Sequence, residues 1–103
     1  MKTTFVAVYR FVVKNGEEAA FEQAWTDLTN MIYADCGSNG SRLHSAGGGV
    51  YIAYAAWPDR ASWAQSTSKL REESEGIRAI MRSCCEEVET LYELEPVRDL
   101  LKE

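Results

Sequence analysis

Residues 50–63, VYIAYAAWPDRASW, decide how the chain is built. Val50 to Trp57 are aromatic, β-branched or small and apolar, as a strand requires, and Pro58 stops the run. Asp59 then caps a helix that begins at once and carries Trp63 on its first turns. Alternation along the strand puts Tyr51, Ala53, Ala55 and Trp57 on one face, bulky at its ends and shallow between them. Two occupants suit that shallow face: a helix packed close over the alanines, or a flat ligand beside the indole.

Upstream, Thr3 to Val13 reads as a strand with Phe5, Ala7, Tyr9, Phe11 and Val13 on one face and Val6, Val8, Arg10 and Val12 on the other. Both faces are mostly apolar, so both should be covered. Asn15 with Glu18 fits a capping box, and the helix after it runs to about Ala34 on a stripe of Phe21, Ala24, Trp25, Leu28, Met31 and Ile32. A loop over Cys36 to Gly40 leads to a short strand, Ser41 to Ser45, where Arg42 and His44 share a face. Ala46 to Gly49 is a connection of hairpin length into the strand at Val50.

Downstream, a helical region extends to about Ser83, with Leu70, Ile77, Ile80 and Met81 as its stripe and a break suggested by Ser66, Thr67, Ser68 and Gly76. The last strand, about Glu87 to Leu94, alternates Val88, Thr90, Tyr92 and Leu94 against glutamates until Pro96, and Val97, Leu100 and Leu101 form a short amphipathic tail. The order βαββαβ is that of a ferredoxin-like α+β sandwich with a four-stranded antiparallel sheet, one domain over residues 1–103. Two helical layers cover only one face of such a sheet. The apolar second face predicts a homodimer that pairs sheet against sheet, a dimeric α/β barrel.

Composition narrows the partners. A formal net charge of -5, with Lys and Arg scattered, gives no basic field for nucleic acid. No run is long enough to span a membrane, and the apolar start is broken by Arg10, unlike a signal peptide. Cys36, Cys84 and Cys85 lack framework spacing, which suits free thiols in the cytoplasm. A single histidine without Cys-x-x-Cys leaves no ligand set for a metal.

Lys14-Asn15-Gly16-Glu17-Glu18, then Phe21 and Trp25, Ser41-Arg42-Leu43-His44, Tyr54-Ala55-Ala56-Trp57-Pro58 and Trp63 together resemble the antibiotic biosynthesis monooxygenase family over nearly the whole chain. The resemblance implies a dimeric barrel of ferredoxin-like protomers and, for several members, oxidation of anthrones, quinols or related phenols by molecular oxygen without a cofactor. Many members carry a glutamate two residues before the tryptophan of the third strand and a histidine nine residues after it. Ala55 and Ser66 stand there in this chain, so only Trp57 matches. The haem-degrading branch uses an asparagine on the first strand, where this chain has Tyr9, and a ligating histidine on the second helical region, which is lacking.

Cofactor-free oxygenation needs a base, a partner for the substrate anion and exclusion of water. Histidine is the side-chain type that titrates near neutrality, so His44 is the candidate base, with Arg42 beside it for the oxyanion and Trp57 orienting ring or oxygen. Tyr51, Tyr54, Trp63, Trp25 and Tyr9 are the candidate walls for a small aromatic substrate. Each has a plainer role open to it: His44 and Arg42 as solvated residues of an edge strand, Trp25 and Trp57 as core, and Arg10 as an interface charge. Two further functions stay open, a non-catalytic dimer binding a small aromatic or serving a structural or stress-related role, and an isomerase or cyclase of polyketide-like substrates.

Overall fold

The structure is a computed structural model in which residues 2–101 are described. Its elements follow the order β1 (Phe5–Val13), α1 (Glu18–Cys36), β2 (Gly40–Gly47), β3 (Val50–Trp57), α2 (Arg60–Ala64), α3 (Ser66–Lys69), α4 (Ser74–Ser83) and β4 (Cys85–Leu94). The strands form one antiparallel sheet in the order β2-β3-β1-β4, the ferredoxin-like arrangement. β3 has the bounds read from its sequence. Asp59 Oδ1 accepts the Ser62 N–H at 2.7 Å, capping α2 as its position predicts.

The register of β1 against β3, with Phe5 opposite Trp57, Tyr9 opposite Ala53 and Phe11 opposite Tyr51, gathers the odd-numbered residues of both strands under the helices. Two buried clusters form there. Phe11, Val13, Phe21, Tyr51, Ala53 and Cys84 make one. Phe5, Ala7, Cys36, Ala55 and Trp57 make the other, and Tyr9 packs against both. The Lys14 N–H donates to the Cys84 carbonyl at 2.8 Å, so α4 ends where β1 ends and α1 begins. α4 packs against α1 and β4.

The β2–β3 hairpin turns through Gly47, Gly48 and Gly49, all at positive φ. At Gly49 the backbone approach is also close: a Cβ there would stand 2.9 Å from the Val13 carbonyl oxygen, which leaves room only for hydrogen.

Four local expectations are corrected. Asn15 does not cap α1; the turn at Gly16 moves the cap to Glu17, whose side chain makes no capping bond, while Glu18 Oε1 accepts the Gly16 N–H at 2.9 Å. Gly76 lies inside α4, and the break falls at Leu70, where ψ is 138°. Ile80 is exposed, because α4 turns Ser74, Arg78 and Met81 inward instead. Finally, Val88, Thr90, Tyr92 and Leu94 do not share a face. A bulge at Leu91, between the pairs Val8–Tyr92 and Tyr9–Thr90, moves the strand over by one residue. Tyr92 and Leu94 therefore lie on the face away from the helices together with Glu87 and Glu89, whereas Glu93 turns under the helical layer and pairs with Arg60.

The face away from the helices is open over much of its area. Tyr54, Tyr92 and Leu94 are exposed there at 39%, 60% and 43%, an apolar surface larger than scattered single residues would give. Val6 on that face is buried, and the segment after Leu94 gathers over the same end of the sheet, sharing a hollow with Thr3, Ala56 and Tyr54.

Candidate functional site

Most of the chemistry-bearing side chains meet in the layer between helices and sheet. Trp57, at the end of β3, is 3% exposed and packs with Phe5, Ala7, Cys36 and Ala55, with Trp63, Ile32 and Leu70 closing around the cluster. Its Nε1 is buried with no hydrogen-bond partner. Between the two clusters Tyr9 accepts the Trp63 Nε1–H at 2.7 Å. Burial pushes the Tyr9 phenol upward, the bond from Trp63 opposes this, and the charge on Glu93 adds to the rise. Arg60 lies above the rings of Phe5 and Trp63, 5.4 and 5.5 Å from their centroids, and closes this end with a cation.

Ser74 and Arg78 lie one turn apart on α4, on the stripe that ends at Met81. Ser74 is fully buried, and neither its Oγ nor Arg78 Nε has a partner. A buried polar group left unpaired costs about 1–3 kcal/mol, so each of the three needs an explanation. Indole N–H, guanidinium N–H and hydroxyl O–H are all donors, and each suits an acceptor oxygen. At the far end Tyr51 donates to Glu22 Oε2 at 2.6 Å, and that bond, with burial behind it, holds its phenol protonated up to about 12.

The residues expected to form one site are divided between the faces of the sheet. Tyr9, Tyr51, Trp57, Trp63 and Trp25 belong to the helix side, where Trp25 packs half-buried against the Phe21 cluster. Arg42 and His44 do not join them. They pair with Tyr54 and Ile52, the even-numbered residues of β3, so all four side chains project from the open face, and both His44 and Arg42 are exposed. The grouping of His44, Arg42 and Trp57 around one substrate is therefore corrected: a pleated strand cannot send alternate-face residues to one point. The hollow expected beside Trp57 is filled by Trp63, Ile32 and Leu70. Among the described residues the buried side-chain atoms without a partner are instead Trp57 Nε1, Ser74 Oγ and Arg78 Nε, and no motif in the sequence marks Ser74 or Arg78.

On the open face, a hollow of about 920 Å³ lies between β2 and the C-terminal segment, lined in part by Arg42, His44, Tyr54, Arg98 and Leu101. Among the described residues no group of three or more His, Cys, Asp or Glu side chains is placed to hold a metal, and no helix is long and apolar enough to cross a membrane.

No family model matches the chain, and no curated protein matches it in sequence. Solved structures do match. SnoaB of Streptomyces nogalater, described as a cofactor-independent oxygenase, superposes with a TM-score of 0.79 at 16% identity, over 98% of this chain and 100% of its own. A provisionally assigned antibiotic biosynthesis monooxygenase of Bordetella bronchiseptica gives 0.77 at 16% identity, over 94% and 100%. A conserved protein of Methanosarcina mazei gives 0.74 at 14%, over 90% and 92%. At such identities what is shared is the fold, and the chain has the ferredoxin-like α+β fold of these structures over 90% or more of its length.

Proposed function

We propose that the protein is a cofactor-independent oxygenase of the antibiotic biosynthesis monooxygenase type, acting on a flat phenol, anthrone or quinol held between the sheet and α4. The observations that carry this reading are the unpaired buried donors Trp57 Nε1, Arg78 Nε and Ser74 Oγ and the buried Tyr9–Trp63 hydrogen bond. The likeness to SnoaB supports the reaction type. A phenol ionises more readily beside Arg78, losing its proton to solvent water as it enters, and the donors then hold the oxyanion once the layer has closed and excluded that water. The electron-rich anion then passes one electron to oxygen, and the two radicals combine at carbon to a peroxide. Loss of water leaves one oxygen atom in the quinone product. The substrate supplies the reducing electrons; the protein supplies anion stabilisation, ring orientation and exclusion of water.

The layer is packed without substrate, so entry requires a wall to move. α2 and α3 bury no residue fully, and they carry Trp63 and lead to Leu70, the side chains that fill the space beside Trp57. His44 has no part in this chemistry. It belongs to a homodimer interface through the open face, whose exposed Tyr54, Tyr92 and Leu94 a second sheet would cover. The three free thiols suit a reducing, cytoplasmic setting.

Oxygen uptake with a panel of anthrones and hydroquinones tests the proposal. The expected result is oxygen-dependent turnover that falls about a hundredfold in Arg78→Met. Saturable binding without uptake would replace the oxygenase by a small-aromatic binding protein, the reading that Ala55 and Ser66 favour, and turnover indifferent to oxygen would replace it by an isomerase or cyclase.

A further inference from the structure

Between Asp59 and Ser74 the chain passes from β3 to α4 without joining the sheet or α1 by its backbone. Among the described residues, the backbone-to-backbone hydrogen bonds of residues 60–71 run within the segment, back to Asp59 or into α4. Side chains tie it down instead. Arg60 Nη2 meets Glu93 Oε1 of β4 at 2.5 Å, and Trp63 Nε1 donates to Tyr9 of β1 at 2.7 Å. The Cys36 thiol of α1 donates to the Ser66 carbonyl at 3.3 Å. Beyond them, Arg71 grips Asp35 of α1 through Nε, Nη2 and its own backbone N–H.

Extended backbone brackets the same stretch, at Asp59 (φ -159°, ψ 170°) and at Leu70 (φ -70°, ψ 138°), while α2 and α3 between them are joined through Gln65 in helical conformation. Element-terminal positions of this kind are where hinge motions concentrate their change in φ and ψ. Rotation about the Leu70 ψ bond moves the Leu70 side chain with the helices and leaves Arg71 behind on Asp35. A swing about the two positions therefore carries off Trp63 and Leu70 together, two of the side chains that close around Trp57. What opposes it on the β4 side is the Arg60–Glu93 pair. Both of its groups are exposed, so it holds weakly and salt screens it.

We infer that residues 60–70 form a lid over the layer beside Trp57, latched on β4 by Arg60 and Glu93, anchored on α1 by Arg71 and Asp35, and opening as one piece. Only the purpose of the opening, admission of a substrate, rests on the oxygenase reading. Solvent exchange of the indole N–H protons of Trp63 and Trp57, followed by nuclear magnetic resonance on the protein alone, is the test. In Glu93→Gln both should exchange at least about threefold faster than in the parent, with the amides of Phe21 to Leu28 in α1 unchanged. Raising the salt from about 50 mM to about 1 M weakens the same latch without a substitution and should act in the same direction, so this arm decides the matter if the variant does not fold. A rise shared by α1 is global loosening, a rise at Trp63 without Trp57 is the fraying of one side chain, and no rise in either arm means no latch; each overturns the lid. Since neither substrate nor oxygen is present, the two readings fail separately. A lid that opens in a protein that consumes no oxygen strikes only the oxygenase, and a lid that stays shut in one that does strikes only the lid.

Discussion

An indole N–H with nothing to bond is the feature on which the residue-scale reading turns. Trp57→Phe keeps a ring in the cluster of Phe5, Ala7 and Ala55 and deletes only the unpaired donor, so thermal stability should hold within about 1 kcal/mol while turnover or ligand affinity falls. Melting curves and substrate titration on one preparation measure both; a parallel loss of stability would mean that the indole is only core. Tyr51 gives a pH prediction. Its phenol titrates at about 12 because Glu22 and burial hold the proton, against an ordinary value of 10.0. A raised value means that the bond's contribution is whole below pH 10, wanes above it and is gone beyond about 12. Tyr51→Phe should therefore remove the highest phenolate step in an ultraviolet titration and flatten the loss of stability in that window. The aromatic members of the site were legible in the sequence because the strand period placed Tyr51 and Trp57 together and Tyr9 opposite Ala53. Arg78 was not, since a lone arginine among the charges of a short amphipathic helix has no signature until the helix's rotation is known.

At the scale of the elements, the β2–β3 hairpin offers a paired test. Gly48 and Gly49 both have positive φ, but only at Gly49 would a methyl meet backbone, 2.9 Å from the Val13 oxygen. Gly48→Ala should cost about 1 kcal/mol and Gly49→Ala clearly more, measured by denaturant midpoint. Equal effects would show that the turn relaxes away from β1. The strand at Val50–Trp57 was readable to the residue because Pro58 and Asp59 mark its end chemically. The faces of β4 were not readable, because the bulge at Leu91 answers to the partner strand and has no glycine or proline to announce it. That one inserted residue decides whether Glu87 and Glu89 face the helices or the open side. The cap of α1 failed for a similar reason: Asn15 has the right side chain, but the turn at Gly16 carries it past the helix start.

For the molecule as a whole, the period-two and helical patterns determined which elements form and in what order. They did not determine which side chains meet, because His44 and Trp57 are brought near in sequence order but assigned to opposite faces by pairing register. The closing of α1 onto the segment before α4 supplies an acid-side prediction. Arg71 Nε donates to Asp35 Oδ2 at 2.7 Å, and this bond holds the Asp35 carboxyl below the usual carboxylate range. A lowered value means stability present above the ordinary carboxylate range, about 4, and lost as pH falls through the depressed one. Asp35→Asn should therefore lower the melting temperature at neutral pH, by an amount that shrinks as the solution is acidified below the ordinary carboxylate range, a comparison that calorimetry reads directly. The divided core has a consequence of its own. Tyr9 packs against both buried clusters, so its ring bridges the two halves of the core. Amide exchange should therefore report two cooperative blocks of nearly equal protection in the parent protein, and Tyr9→Ala should let the Trp57 end open without waiting for the Val13 end.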